Sequence, residues 1–470
     1  MSFTVSTVPF LALLVVLYFV AKKQWFPVLL FTNIFQGAAL VIVGSGASGV
    51  SLAPSQAALL MLLLQKAMAK PKDVGPRLVA QKNVTAVLLM YGAYAILTAI
   101  FCPFFFQGIP VSNPRNGMGA PLNWGMYNVT QSIYLLIGIT VQWLCVHRSD
   151  FEEMKKALDW YLAGATFAAF LAIYQSVAFS TGLPFPSDLL HSNTQYVIFE
   201  AYEMSGFTRV NSTFTEAAAA AGCFAAALGL VIWRVLFVEF NAKLLVSLVA
   251  LLTGLILTRS SSGYLGLSFI VVAAAVLFLK KAIVTRQVQM FRTGFAIVVL
   301  LVSVSVFLQP QVRTEIGSLL DMVLFTKTQS ASYVERTAWN QAALAAGSQT
   351  WWIGAGWGSL RASSLVANIL GTVGIPGLLL FITFCGLTIR LASKGPADAS
   401  QMQKSVMLPI FISLIDCVLA GPEMTDTSIW FFLGVAAFVN YPALRNNTGR
   451  VVQYFNTNPK HPKEFGVALS

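Results

Sequence analysis

Long apolar runs separated by short polar clusters organise the chain from its first residues to about Tyr441. The runs are roughly 17 to 25 residues long, the length at which a helix crosses a hydrocarbon core of about 30 Å. They carry Leu, Val, Ala, Phe and Gly without the ten-residue alternation of outer-membrane strands, so the pattern predicts helices rather than a barrel. Thirteen spans are expected, at approximately 7–21, 25–44, 52–67, 83–103, 124–146, 156–181, 216–238, 243–258, 262–279, 293–309, 363–389, 405–421 and 428–444. Two long polar intervals interrupt them, 182–215 and 310–362. Loops of that length inside a compact bundle are usually functional.

Composition agrees with the pattern. The 470 residues are 57% hydrophobic and 10% charged, against about 25% charged in soluble domains, and the mean hydropathy is +0.72. Too little polar surface remains to cover a soluble globule. The expectation is an all-α polytopic integral membrane protein of about 12–13 transmembrane helices, with residues 1–470 forming a single transmembrane domain. The first span has no basic flank and no small-residue cleavage site, so it does not read as a signal peptide. Cys102, Cys145, Cys223, Cys385 and Cys417 are scattered through apolar segments without paired spacing and read as small core residues.

Charge gives the spans a direction. The net +12 sits in short basic clusters between spans, a pattern that orients a protein in a bilayer, and no nucleic-acid partner is expected. With the spans above, 23 of the 30 Lys and Arg fall on one side. The other side holds Arg115, Arg209, Arg259, Arg313, Lys327, Arg336 and Arg361. The positive-inside bias then places the C-terminus in the cytoplasm and both long loops outside. The inner loops are too short to hold a soluble domain, so any chemistry is expected outside.

Six of the seven outer basic residues are arginine. The planar, permanently charged fork of Arg suits bidentate contact with phosphate or carboxylate. Arg209, Arg259, Arg336 and Arg361 all lie near span boundaries, at the depth of a lipid-linked phosphate. Interfacial snorkelling also places basic residues there, but the choice of Arg over Lys at four positions favours an anionic ligand. "LILTRSSSGYLGL" sets Arg259 beside Ser260, Ser261 and Ser262 in a tight outer turn, where a helix N-terminus favours anions and serine also caps. "FTRVNSTFTE", residues 207–216, leads into the next uncharged run, and its Asn211-Ser212-Thr213 reads as a polar turn rather than a glycosylation acceptor. The second long loop predicts a short amphipathic helix around Val334, Trp339, Ala342 and Leu344. "WWIGAGWGSLR" follows, a Gly–aromatic loop that permits close backbone approach. Trp339 and Trp357 suit either sugar stacking or interfacial anchoring.

The outer acids are Asp188, Glu200, Glu203, Glu216, Glu315, Asp321, Glu335, Glu423 and Asp426. Glu216 and Glu423 stand at span edges and are the candidates for a base that takes a hydroxyl proton; helix capping is the competing role. No metal is expected. His147 and His461 fall inside, His191 stands alone outside, and no DxD, HExxH or CxxC pattern occurs.

In order, "RVNSTFTE" (209–216), "LTRSSSGYLGL" (257–267), "RTAWNQAAL" (336–344), "GAGWGSLR" (354–361) and "GTVGIPG" (371–377) resemble the O-antigen ligase and Wzy-type polymerase superfamily over about 170 residues. The N-terminal half matches only as a run of spans. The resemblance implies a cofactor-free, metal-independent GT-C-like glycosyltransferase of the bacterial inner membrane. Its active site would face the periplasm and act on undecaprenyl-diphosphate-linked glycans, with a chain-length regulator as a candidate partner besides membrane lipid. By that carry-over Arg209, Arg259 and Arg336, and more weakly Arg361, would hold the diphosphate. Ligases of the superfamily typically carry a His-Asn pair about eleven residues before the glycine that is Gly374 here. Ser363 and Ser364 stand there instead, which favours a polymerase of O-antigen or exopolysaccharide over a ligase to lipid A core. A lipid-linked sugar transporter or flippase is the other alternative; it should show internal repeats and broken helices, and no convincing repeat is found.

Overall fold

A computed structural model describes residues 2–44, 50–69, 79–113, 117–196, 198–199, 203–204, 207–284, 331–394, 397–419, 421 and 424–438. It is mostly helical. The first half holds α1 (Thr7–Val20), α2 (Trp25–Thr32), α3 (Pro54–Met68), α4 (Val79–Phe105), α5 (Met126–Arg148), α6 (Phe151–Thr181) and α7 (Ser187–Leu190). The second holds α8 (Ala217–Phe237), α9 (Ala242–Leu257), α10 (Ser261–Val284), α11 (Ala331–Gln349), α12 (Leu365–Thr372), α13 (Gly374–Lys394), α14 (Ala397–Ser405), α15 (Met407–Leu419) and α16 (Thr427–Ala437). Among the described residues, six stretches are long and apolar enough to cross a membrane: Gln81–Phe105, Met126–Arg148, Phe151–Thr181, Ala217–Phe237, Gly374–Ser393 and Gln401–Leu419. The protein is a multi-spanning helical membrane protein. The expected span 293–309 lies outside the described residues.

Between the helices, short strands pair in the loops. β1 (Ser2–Phe3), β2 (Val41–Val43) and β3 (Val50–Leu52) form an antiparallel sheet, β4 (Pro110–Asn113) pairs with β5 (Gly117–Pro121), and β6 (Glu203–Met204) pairs with β7 (Phe207–Thr208).

Two expected spans are broken. The run 25–44 is helical only as α2, because Asn33 ends the helix and turns its amide to the opposite end of the chain. Asn33 Nδ2 donates to Asp426 Oδ1 at 2.5 Å, and Thr427 Oγ1 donates to Asn33 Oδ1 at 2.7 Å. Backbone freed by the break is satisfied within the protein, as a membrane interior requires: Gly37 N–H donates to the Thr213 carbonyl at 2.9 Å. The run 363–389 splits into α12 and α13 at Gly374, whose φ is +66°. At 1.5 Å per residue α2 and α16 are only about 12 and 16 Å long, each shorter than a hydrocarbon core of about 30 Å.

Hydrogen bonds tie each set of helix ends together. At one end Lys66 Nζ donates to Glu153 Oε2 at 2.6 Å and to the Arg148 carbonyl at 3.0 Å, Lys156 Nζ to the Ala21 carbonyl at 2.5 Å, Gln65 to the Lys23 carbonyl, and Arg234 to Asp159. At the other, Ser6 Oγ donates to the Leu189 carbonyl, Ser192 meets Ser6, and the Arg361 N–H reaches the Ser112 carbonyl. Among the described residues, the loops bonded at the first end are ones expected inside, and those bonded at the second are ones expected outside.

Candidate functional site

The segment Asn211–Thr213 is a polar knot inside the protein. All three residues are fully buried, and Ser212 adopts φ +55°. Gln175 of α6 clamps it: its Oε1 accepts from the N–H groups of Asn211 and Ser212 at 3.1 and 2.7 Å, and its amide donates to Asn211 Oδ1 at 2.8 Å. Ser212 Oγ donates to the Ala168 carbonyl, Thr213 Oγ1 to the Ile34 carbonyl, and His191 Nε2 sits 2.9 Å from the Ser212 carbonyl. The lone outer histidine is therefore part of the knot. The knot pins the chain between Arg209 on one side and Glu216 on the other.

Arg209 Nε donates to the Thr258 carbonyl at 3.2 Å. That carbonyl closes α9 and precedes Arg259, whose φ of +48° makes the turn into α10. Ser260 and Ser262 follow, their hydroxyls 3.1 Å apart, and Ser262 hydrogen-bonds Asp416 of α15. Arg336 Nη1 on α11 approaches the Leu419 carbonyl at the end of α15 at 3.5 Å, and its charge acts on Asp416. Three arginines that lie 50 to 127 residues apart in sequence are thus joined through one turn and one helix end.

Beside this chain of contacts lies a cavity of about 140 Å³. Gln36, Tyr161, Glu216, Gly222, Cys223, Ser413, Asp416, Thr425, Asp426 and Ser428 are among its walls. Glu216 occupies the N-cap of α8 but makes no side-chain cap bond, and it is one of the residues lining the cavity. Asp416 Oδ1 is buried without a hydrogen-bond partner, while Oδ2 packs so closely on α8 that a Cβ at Gly222 would stand 2.6 Å away. Asp426 has a structural commitment: it caps α16, accepting from Ser428 N–H at 2.9 Å and from Ser428 Oγ at 2.6 Å, as well as from Asn33.

The remaining expected residues are placed differently. Glu423 lies outside the described residues. Arg361 has an exposed side chain and belongs to a segment packed on the β4–β5 hairpin, not to the walls of the acid-lined cavity. Trp339 is half-buried and lines neither that cavity nor a smaller one of about 20 Å³; Trp357 lines the smaller one with Tyr127, Tyr134 and Asn368. The Gly–aromatic loop is a packing element. Ala355 and Gly356 N–H groups donate to the Gly371 and Thr372 carbonyls, Ile375 N–H to the Trp352 carbonyl, and Gly354, Gly356 and Gly358 all have positive φ. Ser363 and Ser364 N–H groups both bind Asn340 Oδ1, at 2.9 and 3.0 Å, one helical turn beyond Arg336.

Asp416 was legible as an acid inside an apolar run, "MLPIFISLIDCVL", and an ionisable residue within a span is a functional candidate by default. Counting it as part of a span hid it. No protein-family model matches the chain, and no curated protein matches it in sequence.

Proposed function

We propose that the protein is a membrane glycosyltransferase that polymerises lipid-linked oligosaccharide repeat units, with undecaprenyl-diphosphate-linked glycans as substrates and the periplasmic face of the bacterial inner membrane as its place of action. The observation that carries the reading is the juxtaposition of Arg209, the Arg259 turn and Arg336 with a cavity whose walls include Glu216 and Asp416. The arginines suit a diphosphate leaving group, whose charge they offset without a metal. The carboxylates suit the acceptor. In the transfer, an acceptor hydroxyl oxygen bonds to the donor's anomeric carbon as that carbon's bond to the phosphate oxygen breaks. The electron pair leaves on the diphosphate, and the hydroxyl proton passes to a carboxylate. Glu216 is the base by this reading, because its side chain is not spent on capping, and Asp416 is the second candidate.

A lipid-linked sugar transporter is a second reading, favoured by the break at Asn33 and the short α16 that meets it. Reconstitution with a lipid-linked repeat unit separates the two. Ladder-like extension of the glycan supports polymerisation, whereas movement of the lipid across the bilayer without new bonds supports transport. Replacing Arg209, Arg259 or Arg336 by Lys keeps the charge and loses the fork. Each change is expected to lower chain growth by about a hundredfold or more with membrane insertion unchanged, and full activity in all three variants overturns the diphosphate assignment.

A further inference from the structure

The acid-lined cavity is electrostatically one-sided. Glu216, Asp416 and Asp426 all contribute to its walls, and among the described residues no lysine, arginine or histidine does. Arg209 donates to the Thr258 carbonyl and Arg336 approaches the Leu419 carbonyl, and neither carbonyl belongs to a residue of the cavity walls. A diphosphate inside the cavity would meet like charge, and like-charge juxtaposition at a binding site costs several kcal/mol.

The acids are unequal. Asp426 is occupied by Asn33 and Ser428, whereas Asp416, also a lining residue of the cavity, has its Oδ1 buried without a partner. A buried carboxylate oxygen without a donor is costly, so a ligand that supplies a hydroxyl or ammonium proton there is stabilised. Ser413, Thr425, Ser428 and Gln36 add polar groups, and Tyr161 an aromatic wall. The volume of about 140 Å³, where one water needs roughly 10–15 Å³, is on the scale of a single sugar ring.

We infer that the sugar ring entering this cavity is the accepting one, and that it carries no anionic group: it is a neutral or amino sugar, bound through donors to Asp416 and Glu216, while uronic and phosphorylated sugars are excluded. That it is the accepting ring rests on the glycosyltransferase reading above; that the cavity selects against anionic sugars rests on its walls alone.

The test compares octyl β-glucoside, octyl 2-amino-β-glucoside and octyl β-glucuronide, each below its micellar concentration, binding to the full-length protein in nanodiscs of a neutral phosphatidylcholine. Ligand-observed NMR reports the affinities. The amino and neutral glycosides are expected to bind at least about tenfold more tightly than the glucuronide, a difference of about 1.4 kcal/mol. In Asp416→Asn, which keeps the shape and removes one charge, the glucuronide should recover at least part of that difference. Equal or tighter binding of the glucuronide to the unaltered protein, or binding of none of the three, overturns the inference. The measurement requires no glycosyl transfer, so a protein that proves not to extend glycans while still showing this order would sink the polymerase reading and leave the cavity's selectivity standing.

Discussion

Arg259 holds a backbone conformation, φ +48°, that an L-residue adopts at a cost and that glycine adopts freely. A helix ending in the left-handed region ordinarily uses Gly or Asn there, so an arginine at the end of α9 gives up some stability. Arg259→Gly is expected to raise the stability of the detergent-solubilised protein by about 0.5–1 kcal/mol, measured by thermal unfolding, and to abolish chain growth. A variant that is both more stable and fully active would remove the reason for an arginine at this turn. Glu216 separates its two candidate roles in the same way. Its side chain makes no cap bond, so Glu216→Gln should leave thermal stability within about 0.5 kcal/mol while lowering the transfer rate by about 10²–10⁴ if it is the base. A large stability loss with unchanged rate would return it to capping. These residues were legible in the sequence because each stands at the edge of an apolar run. Asp416 was harder to see, because a window averaged over "MLPIFISLIDCVL" remains apolar despite one acid, and its significance depends on Ser262, Gly222 and Arg336, which lie 80 or more residues away.

The helices themselves follow from hydropathy at most positions. The ends of α1, α3, α5, α6, α8 and α9 fall within five residues of the expected spans, since a run of apolar side chains in a bilayer leaves the backbone no partner but its own i→i−4 carbonyls. Hydropathy reports the length of such a run and says nothing of its continuity. "WFPVLLFTNIFQGAALVIVG" is apolar enough to span, yet the helix ends at Asn33, whose side-chain amide meets Asp426, 393 residues away. Asn33→Leu is therefore expected to destabilise the protein by about 1–3 kcal/mol, since Asp426 keeps its Ser428 donors but loses the Asn33 amide, and Thr427 Oγ1 loses its acceptor. Asn33→Asp, which places a second acid against Asp426, should be at least as damaging. An unchanged unfolding temperature in both variants would show that the break is set by something other than this contact. The loop "WWIGAGWG" behaves likewise: its glycines were legible as sites of close approach, but the surface they approach is the protein's own α12–α13 junction rather than a ligand.

At the scale of the whole molecule, the alternation of charge and the network of contacts agree on which loops share an end. Lys22 and Lys23, Lys66, Arg148, Lys156 and Arg234 belong to segments bonded to one another, and the segments around Ser6, Ser192, Asn211 and Thr213 belong to the opposite group. Contacts alone assign no compartment to either group; the expectation that the group rich in Lys and Arg lies in the cytoplasm comes from the tendency of basic loops to resist translocation. The arginine turn and the start of α8 belong to the second group, so the orientation also decides on which side a lipid-linked substrate must be presented. Lys23 and Asp188 are exposed representatives of the two ends, and the native cysteines are buried or half-buried, which keeps the background of thiol labelling low. In intact cells a membrane-impermeant maleimide should label Asp188→Cys and leave Lys23→Cys unlabelled until the membrane is permeabilised. The reverse pattern would turn the cavity mouth towards the cytoplasm, where diphosphate-linked sugars would have to be presented before export, and would overturn the periplasmic assignment while leaving the arginine–carboxylate geometry intact.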